Sequence, residues 1–499
     1  MPEPARALAD WTWIPARIRS ERAVVAVLLF AALALRVGAG FSGLVIQHDG
    51  SRFLKMTRLI DRAEFGRAME IQPHMPPGYP LMIRLFALLF RDTGTAAVAV
   101  AALFGSLALL PLYALAKSIA GERIGAVAAL IYAFLPDVFS LHGEVMSEGL
   151  FIFLFLSWMW LLWSASREPG WERFVLLGVC GGCAFLVRPE GIYTLLGTVG
   201  WLLVTAHRGW LKHAGGIAAF LVVFLVVASP YLLWVHATTG KWRFTVNPFA
   251  EGILDRLSGK TKAPQRPANP DSELKEERAQ AKYGRVGGAC VMVLREGRKV
   301  CFHVFLPVGL LGLVLAWRRF DRWGYVFLLL LILGYGLPTI VSMLTDQPFS
   351  YRYIMPSCLF ATPFMAAGTI AILGWLSRVR WLPLVVSASV LIAMTVKGVK
   401  PRRADRLPLK QAGLWIREHH GPDRKIAAMD RRVEYYAEGD YYAVPQDLKD
   451  LPAEVEFLVA YDRQWKHYPP GFRLDVERRF REEARFGDVT VYSTAPSQR

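Results

Sequence analysis

Long apolar runs recur through the first four fifths of the chain, and they constrain its fold more than any other feature. Hydrophobic residues make up 54% of the 499 residues and charged residues only 20%. A helix needs about 20 mostly apolar residues to cross the roughly 30 Å hydrocarbon core of a bilayer, where every backbone amide must be satisfied without water. The runs are therefore predicted to be transmembrane helices, and a soluble fold is excluded.

The chain carries a formal net charge of +17, which in a soluble protein would suggest a nucleic-acid partner. Here Lys and Arg concentrate at the ends of the apolar runs, where they set topology and attract lipid headgroups. We therefore predict membrane lipids as partners and no nucleic acid.

The five cysteines show no paired spacing typical of a zinc site. Cys180 and Cys183 flank two glycines inside an apolar run, a pattern typical of close helix packing. Cys290 and Cys301 fall in one predicted outer loop, where a disulfide could form. Their spacing leaves both the paired and the free state open.

The apolar runs divide into eleven predicted crossings. The first, at residues 23–40, follows a basic N-terminus and is too long for a signal-peptide core, so we expect it to stay uncleaved. The others are predicted at residues 95–116, 124–139, 149–165, 174–187, 192–206, 214–235, 302–317, 323–344, 353–376 and 381–396.

Residues 77–90 are apolar but too short to cross, since 14 residues make a helix of about 21 Å. They also carry Arg84 at their centre, so we interpret them as an interfacial helix. Five basic loops then share the side of the basic N-terminus, which the positive-inside rule assigns to the cytoplasm. We expect a multi-pass protein of the inner (plasma) membrane, with residues 41–94, 236–301 and the tail after Lys397 outside.

The first outer segment contains a basic amphipathic stretch at residues 51–69. Arg52, Lys55, Arg58 and Arg62 share one predicted helical face, beside an apolar one, and such a helix lies in the headgroup plane. It could act as an anchor alone. Alternatively its guanidinium groups could bind a lipid phosphate, which suits the planar fork of Arg.

Carboxylates mark two places on the predicted outer rim. Asp49 follows the first crossing directly, whereas Glu144 and Glu148 lie four residues apart, and so on one face if helical, at the mouth between the third and fourth crossings. Acids at solvated helix ends are often structural. Two such sites beside long apolar runs favour a functional interpretation.

Basic residues also stand on this rim. Arg188 and Glu190 interrupt the apolar stretch of residues 174–206, and Arg352 and Tyr353 open the tenth crossing. A charge so close to hydrocarbon must be paired or must bind a ligand. The sequence offers no obvious partner for either arginine, so both are interpreted as unpaired.

The chain is expected to divide into a membrane domain at residues 1–400 and a small extracytoplasmic α/β domain at residues 401–499. Periodicity predicts a helix at residues 409–419 and strands at 425–429, 455–460 and 489–492. The tail has no glycine-rich phosphate loop and no catalytic triad signature. We expect it to recognise substrate or to pack over the outer loops.

Four local patterns follow one another along the chain: Asp49-Gly-Ser-Arg-Phe53, Pro76-Pro-Gly-Tyr-Pro80, residues 136–148, and Arg188-Pro-Glu-Gly191 together with Arg352-Tyr353. Taken in order over roughly residues 20–400, they resemble the GT-C class of membrane glycosyltransferases. The likeness is to family 39 types, the bacterial protein O-mannosyltransferases and the lipid A aminoarabinose transferases.

The resemblance implies a GT-C fold of about eleven transmembrane helices, a polyprenyl-phosphate sugar donor and an inverting transfer to an envelope protein, lipid or polysaccharide. Relatives often carry Asp-Glu at the first motif, where this chain has Gly50. No metal ligand is therefore predicted, and the involvement of a divalent metal stays open. Some relatives bind the lipid phosphate with a Lys near the Pro-rich motif, and the nearest residue here is His74.

An inverting displacement needs a base toward the acceptor and cations around the phosphate that leaves. Asp49 is assigned as the base. The phosphate candidates, in order, are Arg188, Arg352, Arg52 and His74, while Glu148 and then Glu144 orient hydroxyl groups. Further substrate-binding candidates are Arg58, Glu190 and Tyr353.

Two other functions fit many of the same features. A lipid-linked sugar flippase or transporter would also have many crossings, although transporters tend to show internal repeats and midplane charges, and here the charges crowd the rim. An oligosaccharide ligase or polymerase would use a lipid diphosphate donor instead.

Overall fold

The computed structural model describes residues 20–90, 92–205, 210–245, 270–344 and 350–493. In these ranges helices predominate up to Val399, and strands occur only beyond it. The helices are α1 (Glu21–Ser42), α2 (His48–Asp61), α3 (Phe65–Ile71), α4 (Gly78–Phe86), α5 (Thr93–Leu107), α6 (Leu109–Ala120), α7 (Glu122–Phe134), α8 (Pro136–Leu141), α9 (Glu148–Arg167), α10 (Trp171–Val187), α11 (Ile192–Thr205), α12 (Trp210–Thr239), α13 (Pro270–Val300), α14 (Phe305–Ala316), α15 (Arg322–Leu344), α16 (Tyr351–Phe360), α17 (Thr362–Leu376), α18 (Leu382–Val399), α19 (Leu407–His420), α20 (Arg432–Ala437) and α21 (Phe472–Arg479).

Six helical segments of the described chain are long and apolar enough to cross a membrane. Two bent pairs, Val286–Val300 with Phe305–Ala316 and Tyr351–Phe360 with Thr362–Leu376, would raise the number to eight. The chain is thus a helical polytopic membrane protein. The six segments are Glu21–Ser42, Thr93–Ala120, Glu148–Arg167, Ala214–Thr239, Arg322–Val341 and Leu382–Val399.

Eight of the eleven predicted crossings coincide with these segments and pairs. The other three fall on α7, α10 and α11, which have 13, 17 and 14 residues and are short for a span of roughly 20 residues. The crossing predicted at residues 302–317 is the second arm of a pair bent by 99°, whose first arm lies in the predicted outer loop.

The first outer segment differs from the prediction of one continuous amphipathic helix. The helix ends at Asp61 and a second one begins at Phe65, because Ala63 has a left-handed backbone with φ of 59°. The interfacial helix predicted at residues 77–90 is α4, only nine residues long. At about 1.5 Å per residue it cannot span a bilayer.

Close packing of small residues organises the membrane helices. Cys180 and Cys183 lie on α10, which packs on α12 through the glycines between them, as the sequence predicts. A Cβ added to Gly182 would come within 2.7 Å of the Val227 Cβ atom, so only glycine permits this approach. None of the five cysteines forms a disulfide, so the pairing of Cys290 with Cys301 does not occur.

The tail folds into a five-stranded mixed sheet in the order β2-β1-β3-β5-β4. Strands β1 (Lys425–Ala428), β2 (Asp440–Ala443) and β3 (Phe457–Tyr461) pair in parallel, and β4 (Arg481–Phe486) and β5 (Val489–Ser493) form an antiparallel hairpin beside β3. The predicted helix and three predicted strands are all present. The polar edge strands β2 and β4 were missed because neither has a buried face to impose alternation.

The chain forms two compact units. The membrane unit comprises residues 1–40 and 63–399, and the small unit comprises residues 41–62 together with 400–499. The predicted domains at residues 1–400 and 401–499 stay a prediction. In addition, the structure groups the segment of α2, which carries Asp49, with the tail.

Candidate functional site

Four charged residues of the membrane unit form one network, which we call the rim cluster: Glu148, Arg188, Glu190 and Arg352. The Arg188 guanidinium donates to Glu148 Oε1 at 2.8 Å and to Glu190 Oε1 at 3.1 Å. Arg352 Nη1 also donates to Glu148 Oε1, at 3.3 Å. The premise that Arg188 and Arg352 are unpaired is therefore wrong, because the fold brings both to the same carboxylate.

Local backbone features place these side chains. Glu148 occupies the first turn of α9, where the partial positive charge of the helix end favours a carboxylate. After α10, residues 189–191 make one turn of 3-10 helix that carries Glu190 back toward Arg188. A side chain on Gly191 would overlap the backbone of Ala184 and Phe185, so this turn requires glycine.

Burial makes the cluster energetically demanding. The side chains of Arg188 and Glu148 are 7% and 5% exposed, and Arg188 lies over the Phe151 ring at 5.8 Å. Moving charges out of water costs several kcal/mol per ion unless pairing and hydrogen bonds compensate. Here the two negative charges of the carboxylates balance the two positive charges of the guanidinium groups. Arg352, at 25% exposed, is the more accessible cation.

The pairing leaves one oxygen on each carboxylate unused. Among the described residues, Oε2 of Glu148 and Oε2 of Glu190 are buried and have no hydrogen-bond partner. An unsatisfied buried acceptor is costly, and most such atoms in proteins bind something. These two oxygens are suited to accept hydrogen bonds from hydroxyl groups of a ligand.

Tyrosines lie beside the rim cluster. The Tyr335 phenol is within electrostatic range of Glu190 and Arg188, and its ring meets Tyr193 edge-on at 5.3 Å. Tyr79, fully buried in the Pro-rich motif, donates to the carbonyl of Ala97. Aromatic rings of this kind supply a rigid, amphipathic wall around polar groups.

The remaining candidates of the membrane unit have different surroundings. Glu144 is buried in the turn before α9, where its backbone N–H donates to Leu141. The His74 ring lies 3.5 Å from the Gln72 amide nitrogen. Tyr353 is partly exposed.

Asp49 lies in the small unit, in the first turn of α2. Its carboxylate is 20% exposed, 3.8 Å from the His48 ring and 3.9 Å from the Arg52 guanidinium. The position keeps the carboxylate accessible to a proton donor while the helix end and Arg52 stabilise its charge.

The basic face of α2 pairs with acids of the tail. Lys55 contacts Glu434 Oε1 at 2.5 Å and Asp440 Oδ1 at 3.4 Å. Arg58 is 3.9 Å from Glu438 and stacks over Tyr435. Protein carboxylates thus occupy the cationic face that the sequence assigned to lipid headgroups or phosphate.

Sequence reasoning missed two groups of residues. Arg36 is fully buried within α1, beside Tyr132, and a charge inside an apolar run was a signal that could have identified it. The tail residues that contact the segment before Asp49, such as Arg403 and Tyr436, lie more than 350 residues further along the chain. No local pattern could have revealed them.

Within the described ranges, no three His, Cys, Asp or Glu side chains are arranged to hold a metal ion.

Comparison with known proteins gives one family match. Residues 74–234 match the family described as dolichyl-phosphate-mannose-protein mannosyltransferase. This range contains Glu148, Arg188 and Glu190, and it agrees with the resemblance predicted from the sequence. A search of curated proteins returns no significant match.

Solved structures share the fold. The ArnT structure from Cupriavidus metallidurans bound to undecaprenyl phosphate has a TM-score of 0.65 at 13% identity, covering 95% of this chain and 98% of that one. Its apo form has a TM-score of 0.63 at 14% identity, covering 94% and 97%. The Archaeoglobus fulgidus oligosaccharyltransferase complex with Zn and sulfate has a TM-score of 0.60 at 12% identity, covering 92% and 71%.

Proposed function

We propose that this chain, a membrane glycosyltransferase of the GT-C class related to the dolichyl-phosphate-mannose-protein mannosyltransferases, takes its sugar from a polyprenyl-phosphate lipid at the outer face of the membrane. The observation that carries the proposal is the buried rim cluster, three of whose members lie within the matched residues 74–234. Charges buried in a membrane protein are expensive and usually functional. The ArnT structure with undecaprenyl phosphate supports the choice of donor.

The reaction is an inverting displacement. The acceptor oxygen attacks the anomeric carbon, the bond from that carbon to the phosphate oxygen breaks, and polyprenyl phosphate leaves with the electron pair. The acceptor proton passes to Asp49, which is the general base. No proton donor is needed on the leaving side, because a phosphate monoester is already a good leaving group that cations stabilise.

The contacts of the rim cluster support a division of roles within it. Arg352, the more exposed arginine, binds the phosphate of the donor through its planar guanidinium. Arg188, held between two carboxylates, mainly orients Glu148 and Glu190. The unused oxygens of these carboxylates accept hydrogen bonds from sugar hydroxyl groups.

Other residues keep their proposed roles. Glu144, His74 and Tyr353 of the membrane unit contribute to substrate binding. Arg52 and Arg58 of the small unit are proposed to do the same, although Arg58 already lies 3.9 Å from Glu438. The proposed topology retains eleven crossings, with the short helices α7, α10 and α11 among them, and an outward-facing tail in the plasma membrane. The acceptor is an envelope protein, lipid or polysaccharide.

The proposal is tested by replacing Asp49 with Asn, which keeps the shape but removes the charge and the ability to take a proton. General base catalysis is worth roughly 10² to 10⁴ in rate, so transfer should fall at least a hundredfold with donor binding retained. Asp61→Asn, at the exposed far end of the same helix, is the matched control and should be active. Transfer by Asp49→Asn within a few-fold of wild type would exclude Asp49 as the base.

A second experiment separates transfer from translocation. Mass spectrometry of envelope glycans and lipid-linked sugars is compared in cells with and without the gene. Loss of one glycan with accumulation of one polyprenyl-phosphate sugar on the outer leaflet supports transfer. Accumulation confined to the cytoplasmic leaflet would favour a flippase, and accumulation of a lipid diphosphate glycan would favour a ligase or polymerase.

A further inference from the structure

The segment that leads from α1 to Asp49 is held by the tail of the chain. The carbonyl of Ser42 accepts from the backbone N–H of Arg402 at 3.1 Å, and Gly43 forms a parallel bridge with the same residue. The carbonyl of Val45 accepts from Arg403 Nε at 2.6 Å. Backbone groups of one short segment are thus satisfied by residues more than 350 positions away.

Tyr436 provides the contact nearest to Asp49. The backbone N–H of Ile46 donates to the Tyr436 hydroxyl at 2.8 Å, three residues before the carboxylate. Tyr436 is itself fixed, since it belongs to α20 and its ring lies under the ammonium group of Lys410 at 5.6 Å. Burial raises the pKa of Tyr436, so the hydroxyl stays neutral over the working range.

The other side of Asp49 is held in the same way. Lys55, two helical turns further on, is bound by Glu434 and Asp440, and Glu434 is 5% exposed. Because Lys55 is only 24% exposed and Glu434 is buried, solvent screens this pair less than it screens a fully exposed one. Asp49 therefore lies between two attachments to the tail, one through backbone and one through charge.

We propose that the tail, residues 400–499, positions the catalytic base Asp49. Tyr436 is then a positioning residue that acts through Asp49. The inference rests on the proposed function, because it takes Asp49 to be the base. The domain is then part of the catalytic apparatus rather than only a cover for the loops. Reacting groups must be held within a fraction of an ångström, since small displacements of a catalytic group lower the rate strongly.

The experiment uses the full-length purified enzyme and the variant Tyr436→Phe, which removes only the hydroxyl that accepts from Ile46. We expect kcat to fall roughly tenfold while the dissociation constant for the polyprenyl-phosphate sugar and the unfolding temperature stay near wild type. The control is Tyr442→Phe. It removes a hydroxyl from the same domain that binds only the exposed Glu454, and it should leave kcat unchanged.

A double variant distinguishes positioning of the base from a general effect on the fold. If Tyr436 acts through Asp49, then Asp49→Asn with Tyr436→Phe should have the same residual rate as Asp49→Asn alone. A further tenfold loss in the double variant, equal losses in Tyr436→Phe and Tyr442→Phe, or normal kcat in Tyr436→Phe would each overturn the inference. An inactive Asp49→Asn beside a normal Tyr436→Phe would refute this inference alone, whereas an active Asp49→Asn would refute the proposed base and the inference with it.

Discussion

Replacing Arg188 by Gln should destabilise the protein far more than an ordinary loss of one arginine. Arg188 joins Glu148 and Glu190, and with Glu148 only 5% exposed solvent can compensate little. Removing one partner of a buried ion pair costs about 3–5 kcal/mol. Here the change would leave the two carboxylates of the rim cluster with Arg352 as the cluster's remaining cation. At about 1.4 kcal/mol per factor of ten, the ratio of folded to unfolded protein should fall by about two to four orders of magnitude.

The assay is denaturant titration of the purified protein in detergent, followed by the fluorescence of its 16 tryptophans. Arg173→Gln is the matched control, since its pair with Glu168 is largely exposed and such pairs contribute little. Adding Glu148→Gln to Arg188→Gln removes one uncompensated charge, so the double variant should be more stable than the sum of single effects by about 1–3 kcal/mol. Stability of Arg188→Gln within about 1 kcal/mol of wild type, or strict additivity, would refute a coupled buried network.

Four further outcomes are expected. Arg352→Ala should weaken donor binding about tenfold, and Arg352→Lys should restore only part of the donor affinity. Unchanged donor affinity in Arg352→Ala would reject the role of Arg352 as phosphate ligand. Single cysteines are introduced at Glu168 or at Arg478 in a protein without its native cysteines. An impermeant thiol reagent added to intact cells should label only the cysteine at position 478, and labelling only at position 168 would invert the proposed topology. Burial raises the pKa of Asp430, but the hydrogen bonds from Arg432 outweigh it and leave the pKa below the ordinary 3.8. The stability that this lowered pKa contributes is present above pH 3.8 and is lost as pH falls through the lower pKa of the folded protein. Acid should therefore increase hydrogen exchange in β1 less in Asp430→Asn than in wild type. Equal acid sensitivity of the two proteins would contradict this stabilising role of Asp430. Alkylation of the denatured, unreduced protein should modify all five cysteines, which are free in the structure, and recovery of a linked peptide pair would contradict this.

The sequence by itself determined the class of fold, because the length and apolarity of the runs follow from the thickness of a bilayer. It also predicted the small domain in the tail and its three buried strands. Glu148, Arg188 and Arg352 could be selected as candidates, since a charge beside an apolar run is a local signal. Close helix packing at Cys180 and Cys183 was also predictable from a local signal, namely small residues inside one apolar run.

The tertiary structure decided which charges meet. Arg188 and Glu148 are 40 residues apart and Arg352 and Glu148 are 204 apart, so no local pattern could show that the arginines share one carboxylate. The same holds for Tyr436, 390 residues from Ile46. Such partners are selected by burial, because a buried donor or charge must be satisfied by whatever group the fold brings to it, wherever that group lies in the chain.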